Sequence, residues 1–314
     1  MSYKTPDQIA VAAAASGEKK AHLSLAKMLV GGFLAGAYIA FAGLLAVDVT
    51  AGLDPKIWGG VTTLLTGGVF SLGLVLVLVA GAELLTGNMA LVPMAVLQKR
   101  VSIGRLGVNW GVILVANLIG SLFVAYVLAV HTGVIGTPSS AAGTAGASTY
   151  TRLAAIATGK AVTEDNGTIF LRAIGCNWLV CLGVWMAIAA EDIGGKILAI
   201  FFPITAFVAL GFDHVVANMF FLPAARWAGV PGMSWGNIIN NWVFAGLGNI
   251  IGGAVFVGLA YWFLYLKGSP AVNGATAGTS DAAGTAGAPR LDNARHDHLR
   301  HDDSRHDDPR PDQH

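Results

Sequence analysis

Twice in this chain a carboxylate stands in the middle of an apolar run, and twice the same residues follow it at the same spacing. The first copy is Glu83-Leu84-Leu85-Thr86-Gly87-Asn88-Met89-Ala90-Leu91-Val92-Pro93, and the second is Asp213-His214-Val215-Val216-Ala217-Asn218-Met219-Phe220-Phe221-Leu222-Pro223. Both read acid, four residues, Asn-Met, three residues, Pro. Further along, Asn109-Trp110 precedes Asn117-Leu118-Ile119-Gly120 as Asn241-Trp242 precedes Asn249-Ile250-Ile251-Gly252. Two blocks in the same order at nearly the same offset mark a duplicated unit. Charge at that depth is costly in hydrocarbon and is found facing a cavity, a pore or a partner.

With 54% hydrophobic and 12% charged residues in 314, a soluble domain is excluded. Crossing a hydrocarbon core of roughly 30 Å takes about 20 apolar residues. Six such spans are expected, near 28–48, 60–97, 106–130, 168–190, 197–227 and 238–266. The second and fifth are too long for simple helices and carry the acid-to-asparagine motif. Breaks are expected at Ala80–Asn88 and Gly211–Ala217, and irregular backbone at membrane depth must face protein or a water-filled cavity. Three spans per half make the halves, about 28–130 and 168–266, insert in opposite senses. The fold class is therefore an all-α membrane protein, six transmembrane helices in a 3+3 inverted repeat with helices 2 and 5 broken.

Residues 1–27 form an N-terminal segment, 28–267 the membrane domain and 268–314 a tail poor in apolar residues, expected to be disordered. No cleavable signal peptide is evident before the first span. Residues 5–22 have weak amphipathic character, which suits either a gate or an interfacial anchor. Lysine and arginine gather on the side of Lys19, Lys20, Lys99, Arg100, Arg105 and Lys196, which puts both termini in the cytoplasm of a multi-pass cell-membrane protein. The long 131–167 connection falls on the outer side.

Half-helices that restart after each break would turn their N–H groups and positive dipole ends to the centre, which attracts anions. Thr86, Asn88 and Asn218 offer further hydrogen bonds, and His214, alone among eight histidines in standing well inside an apolar run, can pass a proton. Glu83 and Asp213 are expected to be structural, accepting N–H groups of the broken helices, because a free carboxylate repels an anion. A weak-acid anion entering a dry constriction is driven towards its neutral form, which crosses apolar surface more easily. Partners are thus a small anion, protons and the lipid bilayer; the formal net charge of +1 gives no sign of nucleic-acid binding. No HExxH is present and a single histidine stands alone in the apolar runs, so neither an enzyme nor a metal site or cofactor is expected. Paired Asn-Pro-Ala loops of a water channel are missing too, since Met89 and Met219 follow the asparagines. Cys176 and Cys181, on one helix and different faces, read as small hydrophobes.

Several blocks together resemble the formate/nitrite transporter family across about residues 20–267. They are Phe70-Ser71-Leu72-Gly73-Leu74, Ala82-Glu83-Leu84-Leu85-Thr86-Gly87-Asn88, Asn177-Trp178-Leu179-Val180-Cys181, Gly211 to Met219, and Gly248-Asn249-Ile250-Ile251-Gly252-Gly253. The resemblance implies an aquaporin-like protomer with its own pore, assembled as a homopentamer. It implies that His214 is the central histidine, Thr86 the threonine of the first broken loop, Asn177 the asparagine facing the histidine and Lys160 the lysine at the pore approach. It also implies apolar constrictions at Phe70, Leu74 and Phe207, and at Leu84, Leu85 and Val180. Formate is the first expected substrate, with nitrite or hydrosulfide as alternatives; Leu85 stands where formate channels often carry an aromatic residue.

Overall fold

The computed structural model describes residues 3–268, all helix and connection apart from one isolated bridge between Tyr3 and Ala190. The tail expectation, from residue 269 on, lies outside the described residues. In order the helices are α1 (Pro6–Ala21), α2 (Leu25–Val49), the single turn α3 (Pro55–Trp58), α4 (Gly60–Val75), α5 (Leu85–Leu97) and α6 (Ile103–Phe123). Then come α7 (Ala145–Thr158), α8 (Asn166–Ala189), α9 (Ile193–Ala209), α10 (Val215–Trp227), α11 (Trp235–Ile250) and α12 (Ala260–Tyr265). Wider π-helical winding extends α4 to Gly81, α6 to Val130 and α7 to Thr163, and joins α11 to α12. Ser24, Ser102, Asp165 and Ser234 cap the long helices α2, α6, α8 and α11 with side-chain oxygens, satisfying donors that lipid cannot.

Five helices are long and apolar enough to cross a membrane: Leu25–Val49, Gly60–Gly81, Ile103–Val130, Asn166–Ala189 and Trp235–Tyr265. The remaining expected span, 197–227, is divided between α9 and α10, neither of which is long enough alone. Both expected breaks are present and are shorter than the sequence suggested, Ala82–Leu84 and Leu210–His214. A glycine with positive φ turns the chain at each, Gly81 at 87° and Gly211 at 72°, a conformation that costs a residue without Cβ little.

Small residues bring the long helices into backbone contact. A Cβ on Gly36 would lie 2.0 Å from the Asn117 carbonyl oxygen, and one on Gly120 2.0 Å from that of Phe33, so α2 and α6 pack without room for a methyl group. In the other half Gly248 and Gly252 press on the Phe170 and Ile174 carbonyls in the same way, joining α11 and its continuation to α8. Gly36→Ala is expected to force α2 from α6 and to lower stability by about 1–3 kcal/mol, read as a lower thermal midpoint of the purified protein.

The helix at 6–21 is a packed element rather than an anchor lying on the bilayer surface. Ile9, Ala10, Ala13 and Ala14 are buried, and a Cβ on Gly17 would stand 1.9 Å from the Leu91 carbonyl oxygen of α5. That contact carries Lys20, at the end of α1, to the first break.

Candidate functional site

Each break is held by one asparagine from a neighbouring helix. Asn117 on α6 accepts from the Leu85 N–H (2.9 Å) and donates to the Glu83 and Gly32 carbonyls (2.9 and 2.8 Å). Asn249 on α11 accepts from the Val215 N–H (2.8 Å) and donates to the Asp213 and Ala173 carbonyls (2.9 and 2.8 Å). In lipid every backbone group needs such a partner, and one carboxamide side chain supplies three bonds.

A second ring of contacts is also made twice. Lys20 pairs with Glu83 (2.9 Å), Asn88 donates to Glu83 (3.2 Å) and to Asn109 (3.1 Å), and Asn109 donates to the Lys20 carbonyl (3.1 Å). Lys160 pairs with Asp213 (2.9 Å), Asn218 donates to Asp213 (3.0 Å) and to Asn241 (2.8 Å), and Asn241 donates to the Lys160 carbonyl (3.0 Å). This changes two expectations. Glu83 and Asp213 hold a lysine and an asparagine, and the N–H groups expected of them go instead to Asn117 and Asn249. Asn88 and Asn218 have spent their amide protons inside the protein, so their N–H groups are not open to a ligand.

Between the breaks the side chains of the two halves meet where Thr86 Oγ1 lies 2.8 Å from His214 Nε2, both side chains buried. His214 caps α10: its Nδ1 accepts from the Ala217 N–H at 3.0 Å. A ring that accepts at Nδ1 carries its proton at Nε2 when neutral, so Nε2–H donates to Thr86. The Thr86 hydroxyl proton then has no acceptor among the described residues, and points to a donor for something else. Asn177 does not touch the histidine. It donates to the carbonyls of Thr86 (3.2 Å) and Asn249 (2.7 Å), and so ties one break to the helix that braces the other. Cys181 also donates to the Thr86 carbonyl, 3.3 Å from its Sγ.

Phe70, Leu74, Leu84, Val180 and Phe207 converge on His214 around a void of about 10 Å³, barely the space of one water. Ile39 and Ile204 complete this ring and were not singled out in the sequence, where nothing distinguishes them from other apolar positions. Leu85 is elsewhere: it lines a separate apolar groove with Met89, Trp110, Val215 and Met219, so it does not constrict the His214 route.

On one side of the ring, Phe70 and Phe207 meet edge to face, 5.9 Å between centroids, and a cavity of about 230 Å³ opens beyond them. Lys160 lines it. So do Arg152, Arg172 and Glu164, which the sequence reading did not single out as site residues. Arg152 holds Thr50 (2.9 Å) and Thr66 (3.0 Å) and, among the described residues, makes no ion pair, while Arg172 pairs with Glu164. Three cations against the carboxylates Glu164 and Asp213 leave the cavity net positive, which concentrates anions at its mouth. No group of three metal-ligating side chains occurs among the described residues.

The sequence profile of the formate/nitrite transporter family matches residues 7–263. The chain belongs to that family. A probable formate transporter of Methanothermobacter thermautotrophicus is 48% identical over 275 residues, covering 85% of this chain and 98% of the relative. A formate channel of Bacillus thuringiensis is 41% identical over 267 residues, covering 85% of this chain and 98% of its own. Among solved structures, a pentameric formate channel with formate bound superposes with a TM-score of 0.66 at 31% identity, over 77% of this chain and 98% of that one. The family consists of membrane transporters and channels, so this chain is a multi-pass transport protein and not an enzyme.

Proposed function

We propose that the chain carries formate across the cell membrane through one pathway per protomer, in a homopentamer. The observation that carries this reading is the Thr86–His214 contact, set in an apolar ring at the foot of a cavity lined by Lys160, Arg152 and Arg172. An anion is gathered by the cations, loses water on approaching Phe70 and Phe207, and there becomes easier to protonate. The free Thr86 hydroxyl proton meets it, backed by the Nε2–H of His214. This donor pair lowers the cost of holding the anion in a dry site until it takes up a proton, and the neutral acid then passes Leu74, Leu84 and Val180. A proton moving through the ring itself would need Nδ1, which is engaged by Ala217, so relay through His214 requires that cap to open.

The paired asparagine, lysine and carboxylate networks support an aquaporin-like 3+3 inverted repeat of six spans, helices 2 and 5 broken, with the Lys160 cavity outside and both termini in the cytoplasm. Lys20 and Glu83 then stand at the inner mouth. In this reading α1 packs under the membrane domain of 28–267. Formate is preferred to nitrite because relatives at 48% and 41% identity are named for formate. Uptake of formate, nitrite and hydrosulfide into proteoliposomes at two pH values tests this. Formate uptake that rises at acid pH is expected; uptake of nitrite alone would move the substrate, and no anion uptake at all would overturn the reading.

A further inference from the structure

Two carboxylate oxygens beside the Lys160 cavity are buried without a hydrogen-bond partner, Glu164 Oε2 and Asp213 Oδ2. The other oxygen of each is taken: Glu164 Oε1 by Arg172, and Asp213 Oδ1 by Lys160 and Asn218. Asp213 is fully enclosed, at 0% exposure. The two carboxyl groups lie within hydrogen-bonding contact of each other. Two ionised carboxylates so placed repel and leave both free oxygens unsatisfied, whereas one proton between them satisfies both.

We propose that Glu164 and Asp213 share one proton, which makes Glu164 a proton-holding residue at the mouth of the transport route. The inference rests on the transport reading above and adds a residue to it. The groups that face the pair are Lys160 at the end of α7, Arg172 and Cys176 on α8, and Arg152 across the cavity. Burial, and then the neighbouring Asp213 carboxylate, push the Glu164 carboxyl up to about 7, against the pull of Lys160 and Arg172. Below that value Glu164 is neutral and the three cations face a single carboxylate charge. Above it a second negative charge appears beside Lys160 and weakens the attraction on an entering anion. The cavity thus admits anions best when the Lys160 side is acidic, independently of His214.

Glu164→Gln keeps the size of the side chain and offers an N–H to Asp213 Oδ2, so it mimics the protonated form at every pH. With formate as substrate in proteoliposomes, the wild-type KM is expected to rise several-fold between pH 6 and pH 8. The rise in Glu164→Gln is expected to be at least threefold smaller, with substrate protonation common to both proteins. Identical pH profiles would overturn the proposal. Difference infrared spectroscopy of the wild-type protein reads the proton without transport: a protonated-carboxyl band that titrates near neutral pH and is lost in Glu164→Gln supports the sharing, and its absence at pH 6 overturns it. That readout does not depend on formate being carried, and absence of the band in the wild-type protein overturns the proposal even if the variant does not fold.

Discussion

His214→Asn is expected to cut formate flux by about tenfold or more while the protein stays folded. The two effects separate because the ring does two jobs with two nitrogens. Nδ1 caps α10 through the Ala217 N–H, and asparagine is among the best capping residues, so the helix keeps its start. Nε2 reaches Thr86 at 2.8 Å, and the shorter amide does not, so the buried hydroxyl loses its partner and the donor pair facing the anion is lost. A hydrogen bond to a charged group contributes about 1.5–3 kcal/mol, and each ~1.4 kcal/mol is tenfold in rate. Initial rates in proteoliposomes, with a thermal melt of the same preparation, check both halves. Formate flux as fast as wild type, with its acid dependence intact, would sink the role given to His214.

Asn249→Ala is expected to have the larger effect on the fold. The substitution leaves the Val215 N–H and the Asp213 carbonyl without their partners in a region closed to water, and removes a second bond from the Ala173 carbonyl inside α8. Each orphaned buried group costs about 1–3 kcal/mol, so the loss approaches the whole stability of many domains. Little folded protein should survive detergent extraction. The neighbouring Asn240→Ala, which removes only an exposed bond to Asn166, serves as the control and should change stability by about 0.5 kcal/mol or less. Equal yields and melting curves for the two variants would show that the break is braced by something other than Asn249.

The sequence disclosed the breaks well, because a carboxylate, a turn glycine and an Asn-Met pair in an apolar run have no place in a continuous span. His214 and Thr86 were legible for the same reason: polarity stands out against hydrocarbon. Contacts between distant segments were not. Lys20 lies 63 residues before Glu83, and only the packing of α1 on α5 brings them together. Glu164 reads as one more charge in a polar connection until its neighbour Asp213 is seen. Leu84 and Leu85 look equivalent on paper, but Leu84 is the last, extended residue of the break and Leu85 the first of α5, so Leu84 faces His214 and Leu85 a different groove. Apolar residues among apolar residues carry no sign of which way they point.

In the alignment of the two halves, His214 stands where the first half has Leu84, and Val216 where Thr86 is. Two identical half-length chains paired symmetrically would make every such contact twice, so one Thr86–His214 pair opposite Leu84 and Val216 at the matching places needs two different halves. Joining the halves in one polypeptide freed each to mutate alone. The centre of this protein is therefore a place where two gene copies stopped being interchangeable, and a chain cut into matching halves would need one of each to work.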